Sequence, residues 1–373
     1  MPQEEQASSS YIEIINCENC AAELKFKPGT TSLVCPYCNT ENVIENTNEP
    51  IEEIDYEDFI RNHIQDEEKI EVFDIKCNAC GADTSFPPNV SSINCPYCNN
   101  SLVLEGGNNS TVLKPKAILP FKITEQEAKQ YFKKWLKKKW FLPSKLKSVQ
   151  RLDDKLVGIY IPYWTFDSNT ATNYRGQRGT HYTTTVRVNK MVDGKMVSTT
   201  QTVVKTRWTN VSGFVSVNFD DTLIVASTSL HETYIDRLEP FDLKNLVPFD
   251  ERYLSGFRTE IYQIGVQEGF EKVKGKMGKI IRTHVLRDIG GDEQRITHSH
   301  TEFDDVSFKH ILLPIWVSAF KYNKKVYRFL INGRTGETHG DRPYDKWKIA
   351  ITILLGILLI LLFVYIMKMS EGG

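Results

Sequence analysis

All eight cysteines of this 373-residue chain fall into one pattern that is used twice. Cys17-x2-Cys20 is followed after 14 residues by Cys35-x2-Cys38, and Cys77-x2-Cys80 is followed after 14 residues by Cys95-x2-Cys98. Corresponding cysteines are offset by 60 residues, and both second pairs read Cys-Pro-Tyr-Cys through Pro36-Tyr37 and Pro96-Tyr97. Two residues between thiols let one tight turn aim both sulfurs at one ion, and the longer spacer suffices for a hairpin that folds the second pair over the first. Four thiolates close a tetrahedral shell at about 2.3 Å and leave no open position for a substrate. The spacing therefore predicts two structural four-cysteine zinc sites, with iron in the same sites a lesser alternative. Units this small lack a self-sufficient core, so metal binding would supply their folding free energy. A disulfide framework would need an oxidising compartment. Redox Cys-x-x-Cys chemistry fits poorly with four such pairs in two equal frames.

The elements that must carry these sites differ in charge. The total is near neutral, 46 Lys+Arg against 47 Asp+Glu, but residues 1–112 hold 20 acids and 5 bases (net −15) and residues 113–373 hold 27 acids and 41 bases (net +14). The first ribbon (11–45) has only Lys25 and Lys27 against five acids, and the second (72–105) only Lys76 against three. Phosphate binding needs clustered Lys and Arg, which neither ribbon has. Between them, residues 46–71 form an acidic linker in which Tyr56, Phe59, Ile60 and Ile64 take helical spacing. The economical reading is a solvated connector with one short helix, and the sharper one an acidic docking element. Gly106-Gly107-Asn108-Asn109-Ser110 opens a flexible break over 106–112 and a domain boundary. The opposed charges predict that the ribbons close electrostatically onto the basic half.

Residues 113–345 predict one basic, antiparallel-sheet-rich α+β domain. A capping box at Thr124 and Glu127 starts a basic helix over 125–147. Lys133, Lys134, Lys137, Lys138 and Lys139 stand there with Trp135 and Trp140. Such a helix either packs its aromatic face and solvates its lysines, or meets an anionic membrane or partner surface. Alternating Thr- and Val-rich stretches from 156 to 219, with Asp193-Gly194 as a turn, predict strands. Residues 161–166 and 313–318 resemble each other. A helix is expected over 258–281 and strands over 282–289, 293–303, 306–322 and 326–331, the last closing on the turn at 332–336.

Residues 349–367 carry no charge and no proline, and at about 1.5 Å per residue they reach roughly 28 Å, the thickness of a bilayer core. Trp347 and Tyr365 flank the run as interfacial aromatics do. This predicts a single-pass, tail-anchored membrane protein. Arg342, Lys346 and Lys348 on the upstream side, against Lys368 alone downstream, place residues 1–348 in the cytoplasm.

Enzymatic motifs are missing. There is no P-loop, since the nearest run at 269–276 has the wrong spacing, and no Gly-x-Ser-x-Gly, His-Glu-x-x-His or Rossmann fingerprint. His284 with His298 and His300 could be drawn as a metal site, but surface-strand histidines are the plainer reading. Asp220-Asp221 and Asp304-Asp305 read as turn residues.

The paired ribbons, Pro120-Phe121-Lys122-Ile123 before a Lys-Trp-Leu-Lys helix, Ile161-Pro162-Tyr163-Trp164 and the run from Arg328 to Gly336 resemble a bacterial family of tail-anchored double-zinc-ribbon membrane proteins. Members are often labelled primosomal-helicase-like or transcription-factor-IIB-type from the ribbons alone. The absent P-loop and acidic ribbons argue against a helicase here. The resemblance implies a role in envelope stress, placing flotillin-like or phage-shock-protein-A-type partners at the bacterial cytoplasmic membrane, and it implies no catalytic residues. The expectation is a non-enzymatic adaptor without a small-molecule substrate. The alternative is a membrane-tethered nucleic-acid binder using the basic helix.

Overall fold

The computed structural model describes residues 15–45, 49–62, 69–85, 92–98, 100–103, 108–144, 156–192, 195–230, 232–323 and 325–371. The first ribbon consists of β1 (Lys25–Phe26), β2 (Ser32–Val34) and β3 (Glu41–Val43), an antiparallel three-stranded sheet. β4 (Ile54–Asp55) and helix α1 (Tyr56–Asn62) follow in the linker. The second ribbon contains β5 (Lys69–Lys76), β6 (Asp83–Ser85), β7 (Ser92–Asn94) and β8 (Ser101–Val103). β9 (Asn108–Leu113) pairs antiparallel with β5 from Lys69↔Leu113 to Asp74↔Asn108. Residues 108–112 of the expected break are thus part of a strand, while Gly106 and Gly107 lie outside the described residues.

The α+β architecture with a dominant antiparallel sheet is as expected. Its centre is three long strands, β11 (Val157–Val192), β12 (Lys195–Val225) and β15 (Glu293–Tyr322), in the order β12-β11-β15. Short strands β10 (Ala117–Ile118), β13 (Val247–Pro248), β14 (Arg258–Thr259), β16 (Lys325–Asn332) and β17 (Thr338–Gly340) complete the sheet, with β4 added against β15. The two similar segments are neighbours, Ile161 pairing with Leu313. β15 runs unbroken where two strands were expected. Beyond Gly179↔Glu293 it ends, and β11 and β12 continue as a two-stranded arm to Val192↔Lys195; the expected turn residues Asp193-Gly194 lie outside the described residues.

Helix α2 (Glu125–Lys137) starts on the predicted capping box: the Thr124 side chain accepts from the Glu127 N–H, and the Glu127 carboxylate accepts from the Thr124 N–H at 2.8 Å. It ends at Lys137, ten residues short of expectation, and positions 145–155 lie outside the described residues. Ala128, Phe132 and Leu136 form its buried stripe, and Phe132 stacks on Phe329 of β16 at 3.6 Å between ring centroids.

After α3 (Glu232–Asp236), helix α4 (Val266–Ile289) lies across the long strands. It is displaced from the expected 258–281. Arg258–Thr259 joins β11 as a parallel strand, and Gly265 is the N-cap. The stretch 282–289, read as strand from its β-branched residues, continues the same buried face through Met277, Ile281, Val285 and Ile289, spaced four apart. Gly290, at φ +65°, caps the end. The last helix, α5 (Lys346–Glu371), contains an apolar window long enough to cross a bilayer, none of it buried.

Candidate metal centres and the surfaces that hold them

Each ribbon brings its four sulfurs together, with Cys17, Cys20, Cys35 and Cys38 in one set and Cys77, Cys80, Cys95 and Cys98 in the other. Within each set all four Sγ atoms lie within 4.8 Å of one another. The closest pairs are Cys20–Cys35 at 3.4 Å, Cys17–Cys38 at 3.5 Å, and Cys77–Cys98 and Cys80–Cys95 at 3.6 Å. A tetrahedron of sulfurs about 2.3 Å from one ion has edges of about 3.8 Å, so only small adjustments would seat a metal. All eight cysteines are free thiols.

Tight turns build both knuckles in the same way: Ala21 N–H donates to Cys17 O and Gly81 N–H to Cys77 O. At Cys38 the neighbouring donors favour the thiolate a metal requires, whereas burial raises the Cys98 thiol. The Thr40 hydroxyl, followed by the Thr40 backbone N–H, holds the Cys38 thiol down to about 5. Each four-thiol set could hold a metal ion.

Neither ribbon stands apart from the large sheet. In the first, Phe26 meets Tyr253 edge-on at 5.1 Å between centroids, and the Phe26 N–H donates to Ser255 O at 3.0 Å. The Gly29 N–H donates to Phe121 O at 2.9 Å, and a Cβ on Gly29 would lie 3.1 Å from Lys122 O with φ at +81°. Cys17, Leu24, Phe26, Leu33 and Cys35 share one apolar cluster with Phe121, Phe132 and Tyr160. In the second ribbon, Cys77, Cys95, Tyr97 and Leu102 share a cluster with Ile161, Leu230 and Leu330.

The knuckle tyrosines have opposite fates. Tyr37 is 81 % exposed, whereas Tyr97 is 1 % exposed and donates its O–H to Glu260 Oε2 at 2.8 Å. Glu260 is 2 % exposed and also accepts from Ser227 Oγ at 2.8 Å and from Ser229 Oγ. Burial pushes its carboxyl up to about 7, against the three hydroxyl donors that favour the anion. Arg328 Nε donates to Tyr97 O at 3.0 Å, and Arg258 donates to Asn94 O.

The ribbons do lie against the basic half, but among the described residues no ion pair joins a ribbon to it. The contacts seen there are apolar packing and hydrogen bonds. Charge pairing acts instead through the linker. Glu53 Oε1 is 2.9 Å from Lys309 Nζ, which also meets Asp221 Oδ1 at 2.8 Å, and Glu52 is 3.7 Å from Lys116. Phe59 of α1 is buried against Phe308, their centroids 5.0 Å apart. The linker is therefore docked on its own sheet between ribbons; Ile64 lies outside the described residues.

Lys133, Lys134, Lys137 and Lys138 are exposed on α2, while Lys139 is half-buried over the Trp135 ring at 5.1 Å. His284 sits on α4 and the exposed His298 and His300 on β15. They do not come together: the four-cysteine sets are the only groups of potential metal ligands among the described residues. Sequence reading missed Glu260, which belongs to no motif and whose role comes from contacts 163 residues away.

No protein-family model matches the chain, and no solved structure matches it. It is 28 % identical over 339 residues to a Bacillus subtilis (strain 168) protein named "Uncharacterized protein YdjG", an alignment covering 90 % of this chain and 91 % of that one. The likeness is one of whole-chain layout, and the relative's name carries no activity.

Proposed function

We propose that the protein is a non-enzymatic, zinc-stabilised membrane adaptor. In this reading α5 anchors it singly in the bacterial cytoplasmic membrane, residues 1–348 lie on the cytoplasmic side, and the two four-cysteine sites hold zinc. The carrying observation is Tyr37, an aromatic ring 81 % exposed on the knuckle between Cys35 and Cys38, while its counterpart Tyr97 is buried. A pre-ordered aromatic loses little entropy on binding and is a common anchor of protein interfaces.

The partner in this reading is a flotillin-like or phage-shock-protein-A-type protein, as the family resemblance implies, and the setting is envelope stress. Because both ribbons share cores with the large sheet, the test is a point variant rather than deletion of residues 1–112. Tyr37→Ser should keep two zinc ions and membrane localisation while losing recruitment of such a partner, read by cross-linking in intact membranes. Recruitment equal to wild type would sink the reading.

A further inference from the structure

The strongest unassigned surface is the outer face of α2. Lys133, Lys134, Lys137 and Lys138 are all exposed, opposite the buried Ala128, Phe132 and Leu136, and they line an open groove of about 500 Å³ with Gln130. Like charges at i, i+4 weaken a helix, and this stripe contains two such pairs, 133/137 and 134/138. The helix C-terminus offsets part of that cost. Among the described residues Lys134, Lys137 and Lys138 form no ion pair.

The stripe's position names its counter-charge. The turn that ends α2 is fastened to the first turn of the membrane helix. Lys348 Nζ donates to Leu142 O at 2.8 Å, and the Asp345 N–H donates to Phe141 O at 2.7 Å. The apolar run begins at Ile349, so those bonds put Phe141 and Leu142 at the level where hydrocarbon meets headgroups, with Lys137 and Lys138 within four residues of Phe141 in the chain. Trp140 and Trp347, 71 % and 80 % exposed, and Tyr344, 56 % exposed, surround this junction with the aromatic side chains that favour that depth. Arg342 adds positive charge beside Lys139.

We propose that the Lys133/Lys134/Lys137/Lys138 face of α2 is a headgroup-binding surface for anionic phospholipids of the leaflet in which α5 is anchored. This deepens the membrane reading above and rests on it. α5 holds the chain in the bilayer, and the lysine face selects the lipids around it and fixes how the sheet stands on the membrane. A lysine held at an anionic surface favours association by about fivefold, and the attraction is screened by salt.

The test uses the full chain in nanodiscs of phosphatidylcholine alone and of phosphatidylcholine with phosphatidylglycerol, with lysine acetylation rates read by mass spectrometry. The four lysines should label several-fold more slowly in the anionic discs, high salt should remove that protection, and Lys279 on α4 should label equally in both. The K133Q/K134Q/K137Q/K138Q variant should insert as well as wild type but lose enrichment of phosphatidylglycerol over phosphatidylcholine among co-purified lipids. Equal labelling in both discs, or unchanged enrichment in the variant, overturns the proposal. So does protection gained only from DNA or an acidic peptide. Failure of the chain to enter either disc defeats the anchor reading instead, and the lipid surface with it.

Discussion

The Tyr97 hydroxyl, one residue before the last cysteine of the second ribbon, donates at 2.8 Å to the carboxylate of Glu260, a residue of the large sheet's own core. A loop shaped by metal-ligand spacing is thereby welded to the domain through a buried acid that Ser227 and Ser229 also engage. In the first ribbon the equivalent tyrosine reaches solvent. The same Cys-Pro-Tyr-Cys motif thus stands in two environments.

Tyr97→Phe should therefore lower stability while Tyr37→Phe leaves it unchanged. Removing one donor from a buried carboxyl costs about 1–3 kcal/mol, and neither change touches a metal ligand. Thermal unfolding of the two variants checks this, and equal midpoints would show that the hydrogen bond contributes nothing.

Glu260 also predicts a pH dependence. Its carboxyl is raised from 4.5 to about 7 by burial, so the folded state favours the protonated form. That contribution is present in full below about pH 4.5 and is lost as the pH rises through 7, amounting to about 3 kcal/mol at most. Glu260→Gln should gain stability relative to wild type between pH 5 and pH 8, roughly the window set by that shift. Denaturation with zinc kept saturating at each pH measures the difference, and parallel profiles for the two proteins would refute it.

The cysteine frames, the Thr124–Glu127 box and the apolar run at 349–367 were legible because each rests on residue types at short spacing. The fates of Tyr37 and Tyr97 were not, since identical neighbours give identical local signals and the difference comes from Glu260, far along the chain. The same holds for the linker, whose acids carry no local sign of their partner: Glu53 meets Lys309, 256 residues away. The strand expected over 282–289 is instead the end of helix α4, where packing of Ile281, Val285 and Ile289 against the sheet overrides local strand propensity.

Lys309 predicts an asymmetric pair of variants. It is 7 % exposed and meets Glu53 and Asp221, with Asp167 at 3.9 Å. Lys309→Met strands three carboxylates and should cost about 3–5 kcal/mol. Glu53→Gln removes a partner that is 42 % exposed and should cost under about 1 kcal/mol. Chemical denaturation of both checks the ordering, and similar costs would mean that the cluster is not held by its lysine.

Metal removal should act on the whole molecule rather than on two appendages. Cys17 and Cys35 sit in one apolar cluster with Phe121 and Tyr253, and Cys77 and Cys95 in another with Ile161 and Leu330. Losing either ion frees sulfurs that line a shared core, so the cost cannot be confined to the ribbon. Even about 5 kcal/mol lost at one site would lower the main unfolding midpoint by about 10–20 °C at 2–4 °C per kcal/mol. The full chain should carry two zinc ions, Cys20→Ser and Cys80→Ser should each carry one, and each variant should show a single unfolding transition shifted downward. An unmoved main transition, with a separate low-temperature step, would mean that the ribbons fold as independent modules after all. A third ion in the wild type would reopen the case for His284, His298 and His300.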